Sequence, residues 1–279
     1  METIKLTICD KKRRCFYGFS LMELLVITAV VAVILAVLLP SLQKVRSAIR
    51  RTVCQSNLRQ IAIAWIAYLD DNNGAFYQGG NANMKYGGWK GNGMLGEPLR
   101  PLNRYFNLPM VVEKENDARI FCCPSDRGGA PGPWLYEKVY RIYGTSYNTN
   151  FFLIGPGECG IFSSETATLD QKINKRMKNV SIDEVANPAR LLLVGDYGWL
   201  NQWRPTLTLS EEEKELVEWH GQADCYNMAF LDGHVKFLNI QKGLYVTSEY
   251  CVLPFQELFS LANNIQRRCQ YSKPKDGKY

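Results

Sequence analysis

Residues 19–39 read FSLMELLVITAVVAVILAVLL and contain a single charged side chain, Glu23. An α-helix of this length spans about 30 Å, which matches the hydrocarbon thickness of a bilayer. The run has no polar stripe along one helical face, so it is unlike the core helix of a water-soluble protein. It is also too long for a secretory signal peptide, and the PSL at 40–42 is not a small-residue cleavage site. We therefore predict a transmembrane helix over residues 19–39.

The segment before this run, residues 1–18, is basic. It supplies three of the six net positive charges of the chain, from Lys5, Lys11, Lys12, Arg13 and Arg14 against Glu2 and Asp10. Basic residues beside a span stay on the cytoplasmic side. We therefore predict a single-pass topology with a cytoplasmic N-terminus and an extracytoplasmic body. Because half of the net charge lies in this segment, we predict no nucleic-acid partner.

Glu23 is an anomaly within the apolar run. A carboxylate inside a transmembrane helix costs about 2.5–3.5 kcal/mol on insertion scales, and such residues generally have a partner and a function. A charge that is merely tolerated would lie at the very edge of the run, whereas Glu23 is its fifth residue. The position indicates a role for Glu23 beyond anchoring.

The segment 18–26, GFSLMELLV, closely resembles the prepilin motif of type IV pilins and type II secretion pseudopilins. In that family a membrane peptidase cuts after the glycine, and the new N-terminus is methylated. The resemblance implies cleavage between Gly18 and Phe19 and methylation of Phe19. It also implies that Glu23, the fifth mature residue, pairs with the N-terminal amine of a neighbouring subunit. Many pilins carry a proline at the position of Pro40, which would kink the helix.

This resemblance implies a function as well as a processing site. It predicts a structural subunit of a type II secretion or type IV pilus-like system in a bacterial inner membrane. The expected partners are the prepilin peptidase/methyltransferase, other pilin-like subunits contacted through the N-terminal helix, and the lipid bilayer. The chain is expected not to be an enzyme.

The helix is expected to continue beyond the membrane. Apolar residues recur near the helical period at Val45, Ile49, Val53, Leu58, Ile61, Trp65 and Leu69. The sequence NNG at 72–74 is a stop signal. We therefore divide the chain into four parts: a basic leader at 1–18, a long helix at 19–72, an extracytoplasmic body at 73–272 and a polar tail at 273–279.

Short strand-like runs separated by turn signals characterise the body, at 119–122, 146–154 and 190–194. The clearest strand pattern is MAFLDGHVKFL at 228–238. Asp232 and Gly233 lie between its two apolar arms and predict a type I′ hairpin turn, because both residues tolerate positive φ.

Helical signals are sparser in the body. Ser210 and Glu213 form a capping box that predicts a helix at about 211–219. Apolar side chains on one face predict another helix at 255–265, and the Gly- and Asn-rich stretch 74–98 is expected to be an ordered surface loop. The predicted fold class is α+β: a long N-terminal helix, transmembrane in its first half, packed on a small antiparallel β-sheet body, as in pilins.

Islands within the body resemble a large set of bacterial prepilin-like proteins that end in an H-x9-D-G element. These islands are CQSNLRQI at 54–61, DDNNG at 70–74, CPSD at 123–126 and DGHV at 232–235. Eleven residues rather than nine separate His220 from Asp232, so we assign no ligand role to His220. Cys54 and Cys123 occur together in the family pattern, and for an extracytoplasmic body this suggests a disulfide between them.

Residue types that bind metals are grouped near the C-terminal hairpin, at His220, Asp224, Cys225, Asp232 and His234. We interpret this group as structural, because the hairpin alone requires the Asp-Gly pair and isolated His and Asp residues are weak signals. The sequence contains no C-x-x-C pair, D-x-D-x-D-G loop, P-loop or dinucleotide fingerprint. We predict no metal, no cofactor and no catalytic residue.

Two other classes of function stay open at this point. A membrane-anchored extracytoplasmic binding module or adhesin would use the same leader for export, and four aromatic residues would suit carbohydrate stacking: Tyr77, Tyr86, Trp89 and Tyr105. An anchored enzyme would instead need a concave site with convergent polar groups.

Overall fold

The computed structural model describes residues 21–78, 82–92, 95–96, 99–154, 180–203, 209–256 and 259. Gly18, Phe19, the polar tail and most of the helix expected at 255–265 lie outside the described residues. The described part is α+β, with one long N-terminal helix and a four-stranded antiparallel sheet. Internal contacts divide the chain between Arg46 and Ser47.

Helix α1 runs from Leu21 to Asp71, and it continues through Pro40. Every residue from 21 to 50 is exposed. The most apolar window of 18 residues has a mean hydropathy of 2.9, and none of it is buried. By length and composition, this part of α1 is a candidate membrane span.

The second half of α1 packs into the body through Cys54, Leu58, Ile61, Ala62, Ala64, Trp65 and Leu69. The predicted apolar face is confirmed from Leu58 onward. Nearer the N-terminus it is not buried, since Val45, Ile49 and Val53 are all exposed.

The C-terminal end of α1 is fixed by its stop signal. Asn73 and Gly74 both have positive φ, at 54° and 75°. The Gly74 N–H donates to the Leu69 carbonyl at 2.7 Å, which is the closing hydrogen bond of a Schellman-type cap.

Four strands form the sheet in the order β1-β2-β3-β4, and each neighbouring pair is antiparallel. They are β1 (Tyr147–Thr149), β2 (Leu192–Asp196), β3 (Cys225–Phe230) and β4 (Val235–Asn239). The first three strands are buried along their whole length, whereas β4 is mostly half-buried or exposed. Both faces of β2 and β3 therefore meet other parts of the body.

The strand predictions hold in two places and fail in one. The runs at 146–154 and 190–194 contain β1 and most of β2. The run at 119–122 is not a strand, because it falls largely in a 3-10 helix, Glu115–Phe121. A four-residue apolar run does not by itself distinguish a strand from a helical turn.

The stretch expected as a surface loop at 74–98 is partly buried. It contains the short helix α2, Ala82–Lys85, and then Tyr86, whose side chain is completely buried. This stretch therefore contributes to the hydrophobic core.

Strands β3 and β4 form a hairpin with a three-residue loop, and the predicted two-residue type I′ turn is absent. The Gly233 N–H donates to the Phe230 carbonyl at 3.0 Å, and the Phe230 N–H donates to the His234 carbonyl at 2.9 Å. Only Gly233 in this loop has positive φ, at 89°, whereas a type I′ turn needs two such residues. The loop matches a type I turn followed by a left-handed glycine.

Two further short helices flank the sheet, α3 (Val139–Tyr143) and α4 (Glu211–Val217). The capping box of α4 is confirmed. Ser210 Oγ accepts from the Glu213 N–H at 3.2 Å, and the Glu213 carboxylate accepts from the Ser210 N–H at 2.8 Å. Helix α4 and the turn after it place His220 just before β3.

Candidate functional site

Four side chains from four separate segments converge in the core of the body. Cys54 lies on α1, Cys123 follows the 3-10 helix Glu115–Phe121, Asp196 ends β2, and His220 follows α4. One possible ligand atom from each lies within 4.8 Å of all the others. All four residues are buried. We call this group of two cysteines, one aspartate and one histidine the core cluster.

The sheet holds the carboxylate of Asp196 in place. Asn227 on β3 donates to Asp196 Oδ2 from its backbone N–H at 2.7 Å and from its side-chain Nδ2 at 3.1 Å. The other oxygen, Oδ1, accepts from Cys54 Sγ at 3.2 Å. One carboxylate oxygen is therefore fixed by the sheet, while the other faces the helix.

The two cysteines of the core cluster are in direct contact. Sγ of Cys54 lies 2.8 Å from Sγ of Cys123, and both residues are free cysteines. The structure thus brings together, as thiols, the pair that the family resemblance connects. A disulfide between them stays a prediction.

His220 directs one ring nitrogen at two partners. Its Nε2 lies 3.4 Å from Asp196 Oδ2 and 3.7 Å from Cys123 Sγ. Burial alone would lower the pKa of His220, but the hydrogen bonds to Asp196 and Cys123 outweigh burial and raise that pKa to about 10. Asp196 and Cys123 thus favour the protonated form of the His220 ring.

This geometry differs from that of a Cys-His-Asp catalytic relay. Such a relay has the nucleophile on one ring nitrogen and the carboxylate on the other. Here both Cys123 and Asp196 face Nε2, while the buried Nδ1 of His220 has no hydrogen-bond partner among the described residues. The core cluster therefore does not have the arrangement of this relay.

The two thiols have different environments. Burial, with added effects of Cys123 and Asp196, raises the pKa of Cys54 well above its ordinary value. For Cys123, burial also opposes ionisation, but hydrogen bonds from Cys54 and His220 outweigh it and lower the pKa of that thiol. Cys123 is thus the readier thiolate of the pair.

Tyr147 on β1 completes the surroundings of Cys54. Its Oη lies 3.4 Å from Cys54 Sγ and accepts from Asn57 Nδ2 at 3.3 Å. The Tyr147 hydroxyl therefore connects Asn57 to the sulfur of Cys54.

The residues predicted for processing and assembly belong to the N-terminal region. Glu23 lies in the first described turn of α1, and Pro40 lies inside the helix. Gly18 and Phe19 are outside the described residues, so their processing stays a prediction.

Asp232 and His234 do not join His220. Oδ1 of Asp232 accepts from the His234 N–H at 3.1 Å and also contacts the His234 ring. That ring stacks on Phe230 with centroids 4.1 Å apart. These contacts fix the hairpin loop, whereas His220 belongs to the core cluster.

No pattern in the sequence identified Asp196 as a site residue. It ends a run, RLLLVGD at 190–196, that otherwise reads as a buried strand. A carboxylate at the end of such a strand has to find partners in the core, which is the signal that could have revealed it.

The aromatic residues proposed for carbohydrate stacking pack against the core. Tyr86 is completely buried, and its hydroxyl donates to the Tyr147 carbonyl at 3.1 Å. Tyr77, Trp89 and Tyr105 are partly buried against the same core. Burial therefore makes Tyr86 unavailable for carbohydrate stacking.

The described elements define the class of this protein as an α+β chain with a candidate N-terminal membrane span. Comparisons with known protein families, with curated proteins and with solved structures found no match to the chain.

Proposed function

We propose that the chain is a structural subunit of a type II secretion or type IV pilus-like assembly. In this proposal it is cleaved after Gly18, methylated at Phe19 and held in a bacterial inner membrane by α1. The observation that carries the proposal is the exposed apolar first half of α1 with Glu23 in its first turn.

The exposed apolar surface of α1 requires a non-aqueous surrounding. Large apolar side chains face outward on all sides of the segment 21–39, including Leu21 at 81% exposure and Val37 at 71%. Soluble proteins rarely expose contiguous apolar patches of this extent. A bilayer, or the equivalent helices of neighbouring subunits, would cover this surface.

Glu23 supports assembly rather than anchoring alone. Its carboxylate lies near the positive end of the helix dipole, which favours a negative charge. Within a bilayer the charge would still cost about 2.5–3.5 kcal/mol, and an ammonium group from a neighbouring subunit would offset that cost. Such a directional attraction fixes the axial register between adjacent helices.

The proposed topology follows from the basic leader. The N-terminus lies in the cytoplasm, α1 crosses the inner membrane once, and the body with its sheet is extracytoplasmic. The partners are the prepilin peptidase/methyltransferase, which meets the segment around Gly18, and other pilin-like subunits, which meet α1.

Cross-linking between the helices of full-length chains tests the proposal. A photoreactive amino acid at Val33, which is 66% exposed, should link neighbouring copies in bacterial membranes that contain the assembly system. Glu23→Ala should keep cleavage but lose most of this cross-linking. Thr28→Ala, a polar-to-apolar change in the same exposed helix, should leave the cross-linking intact.

Two results would contradict the proposal. Absence of cross-links in the chain that carries the photoreactive group at Val33 and no other change would contradict assembly through α1. Equal cross-linking in Glu23→Ala and Thr28→Ala would show that the carboxylate has no part in it.

A further inference from the structure

We propose that Cys54, Cys123, Asp196 and His220 form a structural binding site for a Zn²⁺ ion. The proposal concerns the second half of α1 and the body, and it does not depend on the proposed assembly function. It corrects the expectation from sequence that the chain has no metal site.

The donor set has the chemistry of a zinc site. Zinc in proteins is held by thiolate sulfur, imidazole nitrogen and carboxylate oxygen, most often as four ligands in a tetrahedron. Soft thiolates together with an imidazole favour zinc over magnesium or calcium, which take oxygen ligands. The core cluster offers two thiols, one imidazole and one carboxylate.

The separations of the donor atoms are close to those of a zinc site except between the two sulfurs, which lie closer together than zinc-bound sulfurs do. Neighbouring ligand atoms of a tetrahedral zinc site lie about 3.3–3.8 Å apart, given the usual zinc–ligand bond lengths. In the core cluster the contacts are 2.8 Å between the two sulfurs, 3.2 Å from Cys54 to Asp196 and 3.7 Å from Cys123 to His220. No two of the four possible ligand atoms lie more than 4.8 Å apart. Zinc binding would increase the distance between the two sulfurs by about 1 Å.

A divalent cation would hold the four buried groups of the core cluster together. Asp196 is only 1% exposed, and its carboxylate accepts hydrogen bonds from Asn227 and Cys54. A cation bound between this carboxylate and the two thiolates would stabilise all three anionic groups at once.

Contacts around the core cluster match those that orient metal ligands. Asn227 fixes one oxygen of Asp196 with two hydrogen bonds and leaves the other oxygen directed toward Cys54. The Tyr147 hydroxyl accepts from Asn57 and lies 3.4 Å from the Cys54 sulfur. Such outer contacts are a regular feature of metal sites and contribute to their affinity.

The site is closed, which indicates a structural role. Four protein ligands would fill a tetrahedral zinc site and leave no position for water or substrate. The ligands come from α1, from the segment after the 3-10 helix, from β2 and from the turn before β3. Zinc bound there would join α1 to the sheet, and its binding energy would contribute directly to folding.

A disulfide between Cys54 and Cys123 would use the same two sulfurs. It would leave Asp196 and His220 as a buried ion pair and give no reason for their convergence on the thiols. The disulfide and the zinc-bound thiolates exclude each other, so a single set of measurements distinguishes them.

The test uses the full-length chain, purified in detergent without chelator or oxidant. We expect about one Zn²⁺ per chain by mass spectrometry of the metal content. We also expect both cysteines to be alkylated after unfolding without reductant. Replacement of zinc by Co²⁺ should produce a thiolate-to-cobalt charge-transfer band and the strong visible bands of a tetrahedral site.

Matched variants locate the site. Cys123→Ser and His220→Gln should each weaken Co²⁺ binding by at least about 10-fold, the smallest loss usual when a metal site is altered. Cys122→Ser changes the adjacent half-buried thiol, and His234→Gln changes the histidine of the hairpin loop. Both of these should bind Co²⁺ as the unmodified chain does.

Three results would overturn the proposal. They are a Cys54–Cys123 disulfide in the isolated chain, a reduced chain that takes up no Co²⁺, and equal binding losses in Cys122→Ser and Cys123→Ser. If the ligand variants do not fold, the Co²⁺ spectrum of the unmodified chain decides, since absence of the charge-transfer band would exclude thiolate ligation.

Discussion

Oδ1 of Asp196 lies 3.2 Å from Sγ of Cys54, although 142 positions separate the two residues in the chain. Asp196 is the last residue of β2, and Cys54 is the first buried residue of α1. Their contact therefore joins the sheet to the helix at the point where the helix enters the core. The core cluster is built around this junction.

The buried guanidinium of Arg100 should be one of the main supports of the loop region beyond α1. It donates to the carbonyls of Met84 at 2.9 Å, Gly87 at 2.7 Å and Tyr143 at 2.7 Å. Burial lowers the pKa of Arg100 to about 10. Lysine cannot reproduce the planar fork, so we expect Arg100→Lys to reduce the free energy of unfolding by about 2–4 kcal/mol. Urea unfolding of the full chain in detergent measures this.

Arg104→Lys is the matched control for this substitution. Arg104 is exposed, and its pair with Asp71 at 3.0 Å is a surface salt bridge. Such pairs contribute about 1 kcal/mol or less. Similar losses from the two lysine substitutions would show that the buried fork of Arg100 has no special role.

We expect Gly144 to tolerate no side chain, because the backbone of Trp89 comes close to its α-carbon. Its φ is +82°, and a Cβ atom there would lie 1.8 Å from the carbonyl oxygen of Trp89. Gly221 has a similar φ of +72° but open space around its α-carbon. Both alanine substitutions incur the conformational cost of positive φ, about 1–2 kcal/mol. We expect Gly144→Ala to be destabilising by at least about 2 kcal/mol more than Gly221→Ala, as thermal or urea unfolding would show.

An equal effect of the two alanine substitutions would contradict this prediction. It would mean that the backbone around Trp89 yields to a methyl group without cost.

The capping box of α4 gives a prediction about pH. Hydrogen bonds from the backbone and the side chain of Ser210 lower the pKa of Glu213. A carboxyl whose folded pKa lies below its unfolded value adds stability above the unfolded pKa, about 4.3, and this stability is lost as the pH falls through the folded pKa. We expect Ser210→Ala to move the pKa of Glu213 upward, toward its ordinary value. An NMR titration of the side-chain carboxyl measures the change.

A second capping serine serves as the control for that titration. Ser181 accepts from the Asp183 N–H at the start of another short helix, so Ser181→Ala should leave the pKa of Glu213 unchanged. No upward shift in Ser210→Ala, or the same shift in both variants, would refute the contribution of the Ser210 side chain.

Local patterns in the sequence were sufficient for the elements whose signals are themselves local. The apolar run of α1, the stop at Asn73 and Gly74, and the capping box at Ser210 all depend on residues within a few positions of one another. The hairpin was predicted from Asp232 and Gly233. Its turn type was not, because the choice between a two- and a three-residue loop depends on how the strands are paired.

The core cluster could not be predicted in the same way. Cys54 and Cys123 are 69 positions apart, and Cys123 and His220 are 97 apart. Only packing of α1 against the sheet brings these residues together. Apolar periodicity also overstated the buried face of α1, since Val45, Ile49 and Val53 are exposed despite their helical spacing. Periodicity shows which residues share a face of a helix, but it does not show where a partner surface begins.

The most direct test of the proposed function is the mass of the mature N-terminus. The full-length chain would be expressed in a bacterium that has a prepilin peptidase, extracted from membranes and analysed by mass spectrometry. We expect the chain to begin with N-methylated Phe19, following a cut after Gly18. An intact Met1, or a cut at any bond other than the one between Gly18 and Phe19, would contradict the proposed function.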